Sequence, residues 1–277
     1  MRRIFIVPNI ITAFGLACGL FVIFKVNMIE PGTTTYKALL TSTILILVAS
    51  FADWVDGTIA RAIHAESEFG FLFDSLSDAV TFGVAPSVLM LKTLSLERGT
   101  PLSFFAVIGA MVFSICGILR LVRFNVTMAA VKKLPKYQRK KFRHFIGLPI
   151  PAAALTIVGT NLLFSYPKFL SWLPPLSETF QVAFMGCLAI CLGYLMVCRM
   201  KFPSAKFLHF RVPSFQLVFV AVLVAFFLLY GVLYFFPLAL AAAMWLYLLM
   251  GVIILVIRRL VGRESKTLQD FEPYRDD

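Results

Sequence analysis

Long apolar stretches separated by short polar segments dominate the pattern of the chain. Several of these stretches reach the roughly 18–20 residues that a helix needs to cross a bilayer. We therefore expect their side chains to face lipid and neighbouring helices rather than one water-excluded core. The pattern predicts eight spans, at 8–26, 36–60, 73–92, 102–123, 149–166, 179–198, 214–235 and 238–257.

The composition supports a membrane protein. Of the 277 residues, 60% are hydrophobic and only 14% are charged, whereas soluble domains carry roughly 25% charged residues. The 29 phenylalanines suit surfaces that face lipid. The fold class that we expect is an all-α, polytopic membrane helical bundle.

The net charge of +12 is unevenly distributed along the chain. Basic residues concentrate before the first span, in the even-numbered connections and after the last span. By the positive-inside rule, both termini are then cytoplasmic, which an even number of spans satisfies. Topology and anionic headgroups account for the charge, so no nucleic-acid partner is expected. The compact loops suit a multi-pass protein of the inner (cytoplasmic) membrane of a bacterium.

Four aspartates interrupt this hydrophobic chain in the stretch DWVDGTIARAIHAESEFGFLFDSLSD. Asp53 and Asp56 are three residues apart, and Asp74 and Asp78 are four apart, so each pair shares one face of a helix. The two predicted helices are joined by a short loop and must lie side by side. We expect the four carboxylates to converge just inside the cytoplasmic surface.

Uncompensated carboxylates within apolar segments cost several kcal/mol each. Arg61 can neutralise one of them, and oxygen ligands of this kind suit Mg²⁺ or Mn²⁺. Two divalent ions that share four carboxylates would form a phosphoryl-transfer site. The alternative is an acid ladder in a non-enzymatic ion transporter, although transporters more usually place such groups near the midplane. The spacing favours the phosphoryl-transfer site but leaves the ion transporter open as the alternative.

The same stretch resembles the signature of the CDP-alcohol phosphotransferases, D-x-x-D-G-x-x-A-R-x8-G-x3-D-x3-D. Every specified position is filled, by Asp53, Asp56, Gly57, Ala60, Arg61, Gly70, Asp74 and Asp78. The resemblance covers roughly residues 1–200 and implies a six-helix catalytic core there. Residues 201–260 would add a transmembrane hairpin of two C-terminal helices, and 261–277 a polar cytoplasmic tail.

Further stretches resemble the members of the family that use serine. These are PNIIT, SLSDAVTFGVAPS, LRLVRFN and FIGLPIPAAA. The resemblance implies phospholipid synthesis, in which the phosphatidyl group of CDP-diacylglycerol passes to the hydroxyl of L-serine and CMP is released. The alternative acceptors are glycerol phosphate, inositol phosphate and choline. The resemblance also implies a homodimer.

Site roles follow from the resemblance residue by residue. It implies two divalent ions, Mg or Mn, held mainly by Asp53, Asp56 and Asp74. Asp78 is implied as the general base and as a further metal ligand. The CDP group would be bordered by Asn9, Thr12, Asp56, Gly57, Ala60 and Arg61. For Asn9 and Thr12, ordinary helix capping and packing is the alternative.

Two arginines near the cytoplasmic end of the fourth span are candidates for binding the acceptor. Arg120 and Arg123 are three residues apart and share a helix face. A guanidinium fork binds a carboxylate through two parallel hydrogen bonds, and serine carries a carboxylate. The alternative is a pair of snorkelling side chains that only marks the topology.

Overall fold

The computed structural model describes residues 6–30, 34–62, 67–94, 96, 99–133, 147–172, 177–198 and 234–260. These residues contain no strand. Their helices, in chain order, are α1 (Ile6–Asn27), α2 (Tyr36–Ala62), α3 (Glu68–Asp78), the π-helical segment π1 (Ala79–Val84), α4 (Ala85–Thr93), α5 (Pro101–Lys133), α6 (Ile150–Phe164), α7 (Pro167–Trp172), α8 (Glu178–Val197) and α9 (Phe236–Leu260).

The helices confirm the predicted all-α, multi-pass membrane fold. Within the described part of the chain, five helical stretches are long and apolar enough to cross a bilayer: Pro8–Asn27, Tyr36–Ile59, Pro101–Val131, Glu178–Val197 and Phe236–Ile254. The third predicted span corresponds to the continuous run of α3, π1 and α4. The seventh, 214–235, falls almost wholly in 199–233, and the tail falls in 261–277, both outside the described residues.

Two helices extend beyond their predicted ends. The third span begins at Glu68 rather than at 73, because Ser67 caps α3 by accepting a 2.9 Å hydrogen bond from the Gly70 N–H. Capping of this kind satisfies a backbone donor that the first helical turn leaves open. Helix α5 continues to Lys133, ten residues past the predicted end at 123.

The centre of the bundle is α6, an apolar helix of only 15 residues. Most of its side chains are buried, including Ile157 and Leu162, because α2, α4, π1, α8 and α9 all pack against it. The surrounding helices expose large apolar side chains, among them Phe14, Phe21 and Phe104. In a membrane protein this exposed layer is the surface that contacts lipid.

Helices α5 and α8 pack closely along their length. A Cβ on Gly109 would lie 2.8 Å from the carbonyl oxygen of Gly186, so only glycine allows the two backbones to approach this near. Small residues at crossings are the usual means by which membrane helices pack tightly. This crossing places the end of α5 that carries the arginines next to the end of α8.

Candidate active site

Two helices bring the predicted acidic residues together. Helix α2 carries Asp53 and Asp56, and α3 carries Asp74 and Asp78. One carboxylate oxygen from each of Asp53, Asp56 and Asp74 lies within 4.8 Å of the others, and Asp78 lines the same cavity. The convergence predicted from helix spacing is therefore confirmed, while the role of each carboxylate stays a prediction.

The cavity lies between α1, α2, α3 and π1. It is lined by Ile11, Thr12, Gly15, Ala49, Asp53, Asp56, Asp74, Ser77, Asp78, Thr81 and Phe82. The hydroxyls of Ser77 and Thr81 were not among the predicted site residues. A signal for them exists, because Asp74, Ser77, Asp78 and Thr81 follow the i, i+3, i+4, i+7 spacing of a single helix face.

Thr12 contacts the acidic cluster directly. Its Oγ1 lies 2.6 Å from Oδ2 of Asp56 and 3.1 Å from the carbonyl oxygen of Pro8. A hydroxyl has one hydrogen to donate, and the shorter distance and the negative charge favour the carboxylate as its acceptor. Thr12 and Asp56 are 7% and 4% exposed, so water competes little for this bond.

The other residues predicted to border CDP are less well defined. Asn9 is half-buried in α1, and its Oδ1 would lie 2.9 Å from a Cβ on Gly70. Gly70 therefore lies within the first turn of α3 and leaves room there for α1. Gly57 is half-buried in α2. The side chains of Ala60 and Arg61 are outside the described part of the structure.

Arg120 is the more buried of the two predicted arginines. It is 8% exposed, and its Nε has no hydrogen-bond partner among the described residues. Its guanidinium interacts electrostatically with the carboxylate of Asp78. A buried cation near a carboxylate of the cavity is a suitable partner for an anionic substrate group.

Arg123 has a different environment from Arg120. It donates a 2.7 Å hydrogen bond to the carbonyl oxygen of Val197 and a 3.4 Å bond to that of Met196, at the end of α8. The loop before α6 joins the same place, because the Leu148 N–H donates to the Leu195 carbonyl at 3.1 Å. Gly147 precedes it with φ +87°, a conformation that favours glycine. The two arginines thus lie in different surroundings, and the binding of an acceptor by either of them stays a prediction.

The π1 segment follows Asp78 directly. Within it the Ala85 N–H donates to the carbonyl of Val80, five residues back, as in a π-helix. Two hydroxyls hold α1 against this part of the third span. Ser77 Oγ, in α3, donates to the Thr12 carbonyl at 3.3 Å, and Thr81 Oγ1, in π1, donates to the Gly15 carbonyl at 3.4 Å. Single π-turns are often found at functional sites, where they redirect side chains.

The donor set fits a hard divalent cation. The three clustered residues offer only carboxylate oxygens, which Mg²⁺ and Mn²⁺ prefer over nitrogen or sulfur ligands. The three oxygens lie close enough to share an ion. Asp78 lines the same cavity without being one of these three.

These features agree with the comparison to known proteins. A family model described as CDP-alcohol phosphatidyltransferase matches residues 5–257, so the chain belongs to this family of membrane transferases. The chain is similar to the CDP-diacylglycerol–serine O-phosphatidyltransferase of Bacillus subtilis (strain 168), with 34% identity over 72% of this chain and 91% of the relative.

Two further relatives carry the same name. The protein of Helicobacter pylori (strain J99) is 29% identical over 96% of this chain and 99% of its own length. The protein of Methanocaldococcus jannaschii is 32% identical over 74% of this chain and 77% of its own length. The family predicted from the signature, and with it an enzyme rather than an ion transporter, is confirmed.

Proposed function

We propose that the protein transfers the phosphatidyl group of CDP-diacylglycerol to the hydroxyl of L-serine, which yields phosphatidylserine and CMP. The observation that carries this proposal is the convergence of Asp53, Asp56 and Asp74 within 4.8 Å at the family signature. The names of the relatives support serine as the acceptor. The same reaction class with glycerol phosphate, inositol phosphate or choline is the alternative.

Two divalent ions, Mg or Mn, would be held by Asp53, Asp56 and Asp74, with Asp78 as a further candidate ligand. When bound, they would offset the charge of the pyrophosphate and stabilise the departing phosphate. Asn9, Gly57, Ala60 and Arg61 would border the CDP group. Thr12 would act on the same region by orienting the carboxylate of Asp56 rather than by contacting the nucleotide.

Asp78 would serve as the general base. The hydroxyl oxygen of serine attacks the phosphorus that bears the diacylglycerol, and the bond from that phosphorus to the oxygen of CMP breaks. The hydroxyl proton passes to the carboxylate of Asp78, and CMP leaves with the bridging oxygen. The lipid tails stay in the bilayer throughout, while water-soluble serine arrives from the aqueous side.

Arg120 would bind the carboxylate of serine. Its burial, its open Nε and its attraction to Asp78 support this role. The acceptor hydroxyl would then lie near Asp78 while the acceptor carboxylate lies on the guanidinium. Arg123 would contribute to the site only by holding α8 and the loop before α6 in place.

The remaining parts of the proposal concern the organisation of the chain in its membrane. We place the catalytic core in residues 1–200, an additional hairpin in 201–260 and a polar tail in 261–277. The protein would lie in the inner (cytoplasmic) membrane, with both termini and the active site on the cytoplasmic side, and would form a homodimer. The distribution of basic residues supports the orientation.

The decisive experiment is a CMP-release assay on the purified protein in detergent. CDP-diacylglycerol and a divalent ion are supplied with L-serine, glycerol 3-phosphate, inositol phosphate or choline in turn. We expect serine to raise CMP release and to yield phosphatidylserine as the lipid product. Stimulation by another acceptor, and not by serine, would contradict the proposed substrate while leaving the reaction class intact.

A further inference from the structure

Asn125, the last residue of the stretch LRLVRFN, joins α5 to the helix that carries Asp74. The Ser75 hydroxyl donates a 3.0 Å hydrogen bond to Oδ1 of Asn125. Ser75 directly follows Asp74 in α3, and both partners of the bond are half-buried. The bond therefore connects the part of α3 next to a clustered carboxylate with α5, across 50 positions of sequence.

The Ser75 hydroxyl has a second acceptor within reach. Its Oγ lies 3.1 Å from the carbonyl oxygen of Phe71, and a hydroxyl donates one hydrogen at a time. When the hydrogen goes to Phe71, the Ser75 oxygen can accept an N–H of Asn125, because a side-chain amide carries both a donor and an acceptor. Ser75 and Asn125 thus stay paired in either arrangement. Next to this pair the rings of Phe71 and Phe124 meet, with centroids 6.2 Å apart.

Contacts flank the carboxylate of Asp74 on both sides of α3. At about 100° per residue, Phe71 and Ser75 lie roughly 60° and 100° to one side of Asp74, where α5 packs. Gly70 and Ser77 lie roughly 40° and 60° to the other side, where α1 packs. The rotation of α3 about its axis, and with it the direction of Asp74, depends on both contacts.

Helix α5 meets the third span at one further point. Ser114 Oγ donates a 2.9 Å hydrogen bond to the carbonyl oxygen of Gly83, in π1. This contact lies beyond the end of α3, so it does not hold the turns that carry Asp74. On the α5 side, that position is taken by the pair Ser75–Asn125 and the neighbouring aromatic rings.

We propose that Ser75 and Asn125 are positioning residues, which together set the rotation of α3 and so the place of the Asp74 carboxylate. This inference rests on the divalent-ion site proposed above. One oxygen of Asp74 lies within 4.8 Å of the oxygens of Asp53 and Asp56. At about 5 Å from the helix axis, a rotation of about 20° moves a carboxylate by about 2 Å. That displacement is about the length of a bond from Mg²⁺ to oxygen, so even a small rotation of α3 would weaken a shared ion.

The test measures Mn²⁺ binding to the substrate-free protein in detergent by calorimetry. The variants are Ser75→Ala, Asn125→Leu and the two combined. Ser171→Ala is the matched control, because its exposed hydroxyl donates at 2.8 Å to the Lys168 carbonyl of its own helix.

We expect the Kd for Mn²⁺ to rise about tenfold in Ser75→Ala and in Asn125→Leu, the lower end of the range of about 10–100-fold that is typical of groups orienting a metal ligand. The combined variant should bind Mn²⁺ no more weakly than the weaker single variant, because either change already removes the bond. Ser171→Ala should match the wild type.

CMP release separates a positioning role from a purely structural one. At limiting Mn²⁺ the turnover of both single variants should fall together with the metal affinity. At saturating Mn²⁺ it should return to within about twofold of the wild type. The melting temperature should stay within about 5 °C of the wild type, since a single neutral hydrogen bond is lost.

Unchanged Mn²⁺ affinity in Ser75→Ala and Asn125→Leu would overturn the inference. So would losses that add up in the combined variant, because a pair cannot lose the same bond twice. A loss of turnover that saturating Mn²⁺ does not restore, together with a large fall in melting temperature, would indicate purely structural residues and overturn it as well. Failure of the proposed ion site is seen separately, in a wild-type protein that binds no Mn²⁺, and that result would overturn both.

Discussion

The hydroxyl of Thr12 donates a 2.6 Å hydrogen bond to Oδ2 of Asp56 and so connects the first helix to the acidic cluster. Both side chains are buried. Hydrogen bonds to charged groups contribute about 1.5–3 kcal/mol and hold a carboxylate in one orientation. Thr12 is therefore expected to act through Asp56, by fixing the orientation of its carboxylate.

Replacing Thr12 by valine should weaken the binding of a divalent ion. Thr12→Val keeps the branched shape but removes the hydroxyl, and loss of a group that orients a metal ligand typically costs about 10–100-fold in metal affinity. Titration of Mn²⁺ into the detergent-purified protein, followed by calorimetry, measures the change. Thr12→Ser retains a donor and should stay near the wild type; equal losses in the two variants would show that the hydroxyl does not matter.

Neutralising a clustered acid should abolish turnover without preventing membrane insertion. Asp53→Asn and Asp74→Asn each remove one charge from the group whose oxygens lie within 4.8 Å. We expect loss of CMP release together with weaker Mn²⁺ binding. Glu68→Gln is the control, because this exposed acid lies on α3 outside the cavity. Full activity in excess chelator would rule out metal dependence.

Asp78→Asn should lower the turnover rate while the protein still binds CDP-diacylglycerol and Mn²⁺. The amide keeps the size and the hydrogen-bonding capacity of the side chain but cannot accept the serine proton. Loss of a general base typically lowers the rate by about 10²–10⁴. We expect CDP-diacylglycerol and Mn²⁺ to bind while turnover falls at least about a hundredfold. If nucleotide binding disappears together with turnover on the same preparation, Asp78 is chiefly a metal ligand.

The two arginines should give different results. Arg123→Gln removes charged donors from the carbonyls of Met196 and Val197, and we expect a lower melting temperature with a KM for serine within about twofold of the wild type. At roughly 2–4 °C per kcal/mol for a protein of about this size, the decrease should reach several degrees. Arg120→Gln should instead raise the KM for serine tenfold or more. A serine effect from Arg123→Gln with unchanged stability would reverse the assignment.

Helix periodicity accounts for what the sequence could predict of the site. The pairs Asp53–Asp56 and Asp74–Asp78 lie on fixed faces of neighbouring helices, so a short connection was enough to bring them together. The same argument could not find the partner of Thr12, because the crossing of α1 over α2 is set by packing across 44 positions of sequence. The fold class and the family followed from apolar stretches and from an eight-residue signature, both of which are local.

Other features depend on contacts that no local pattern reveals. Arg120 and Arg123 share a helix and a spacing, yet one faces Asp78 and the other faces the end of α8. The close packing of α5 against α8 determines which of the two arginines contacts the end of α8. The placement of α9 likewise depends on packing against α6, where Trp245 Nε1 donates a 3.1 Å hydrogen bond to Thr160 Oγ1, and no local sequence motif predicts this contact.

The π1 segment makes the helix faces on its two sides tolerant of one change in chain length. A π-turn is equivalent to one extra residue inside an α-helix, and in a helix that stays regular, with 3.6 residues per turn, one extra residue would rotate the flanking faces by about 100°. Because the wide turn takes up this residue, α3 and α4 keep the relative rotation of one regular helix. Removal of a single residue between Ala79 and Val84 should therefore restore a regular helix and leave Asp74 and Asp78 facing Asp53 and Asp56. The third span can thus carry an inserted residue beside the catalytic face without losing that face.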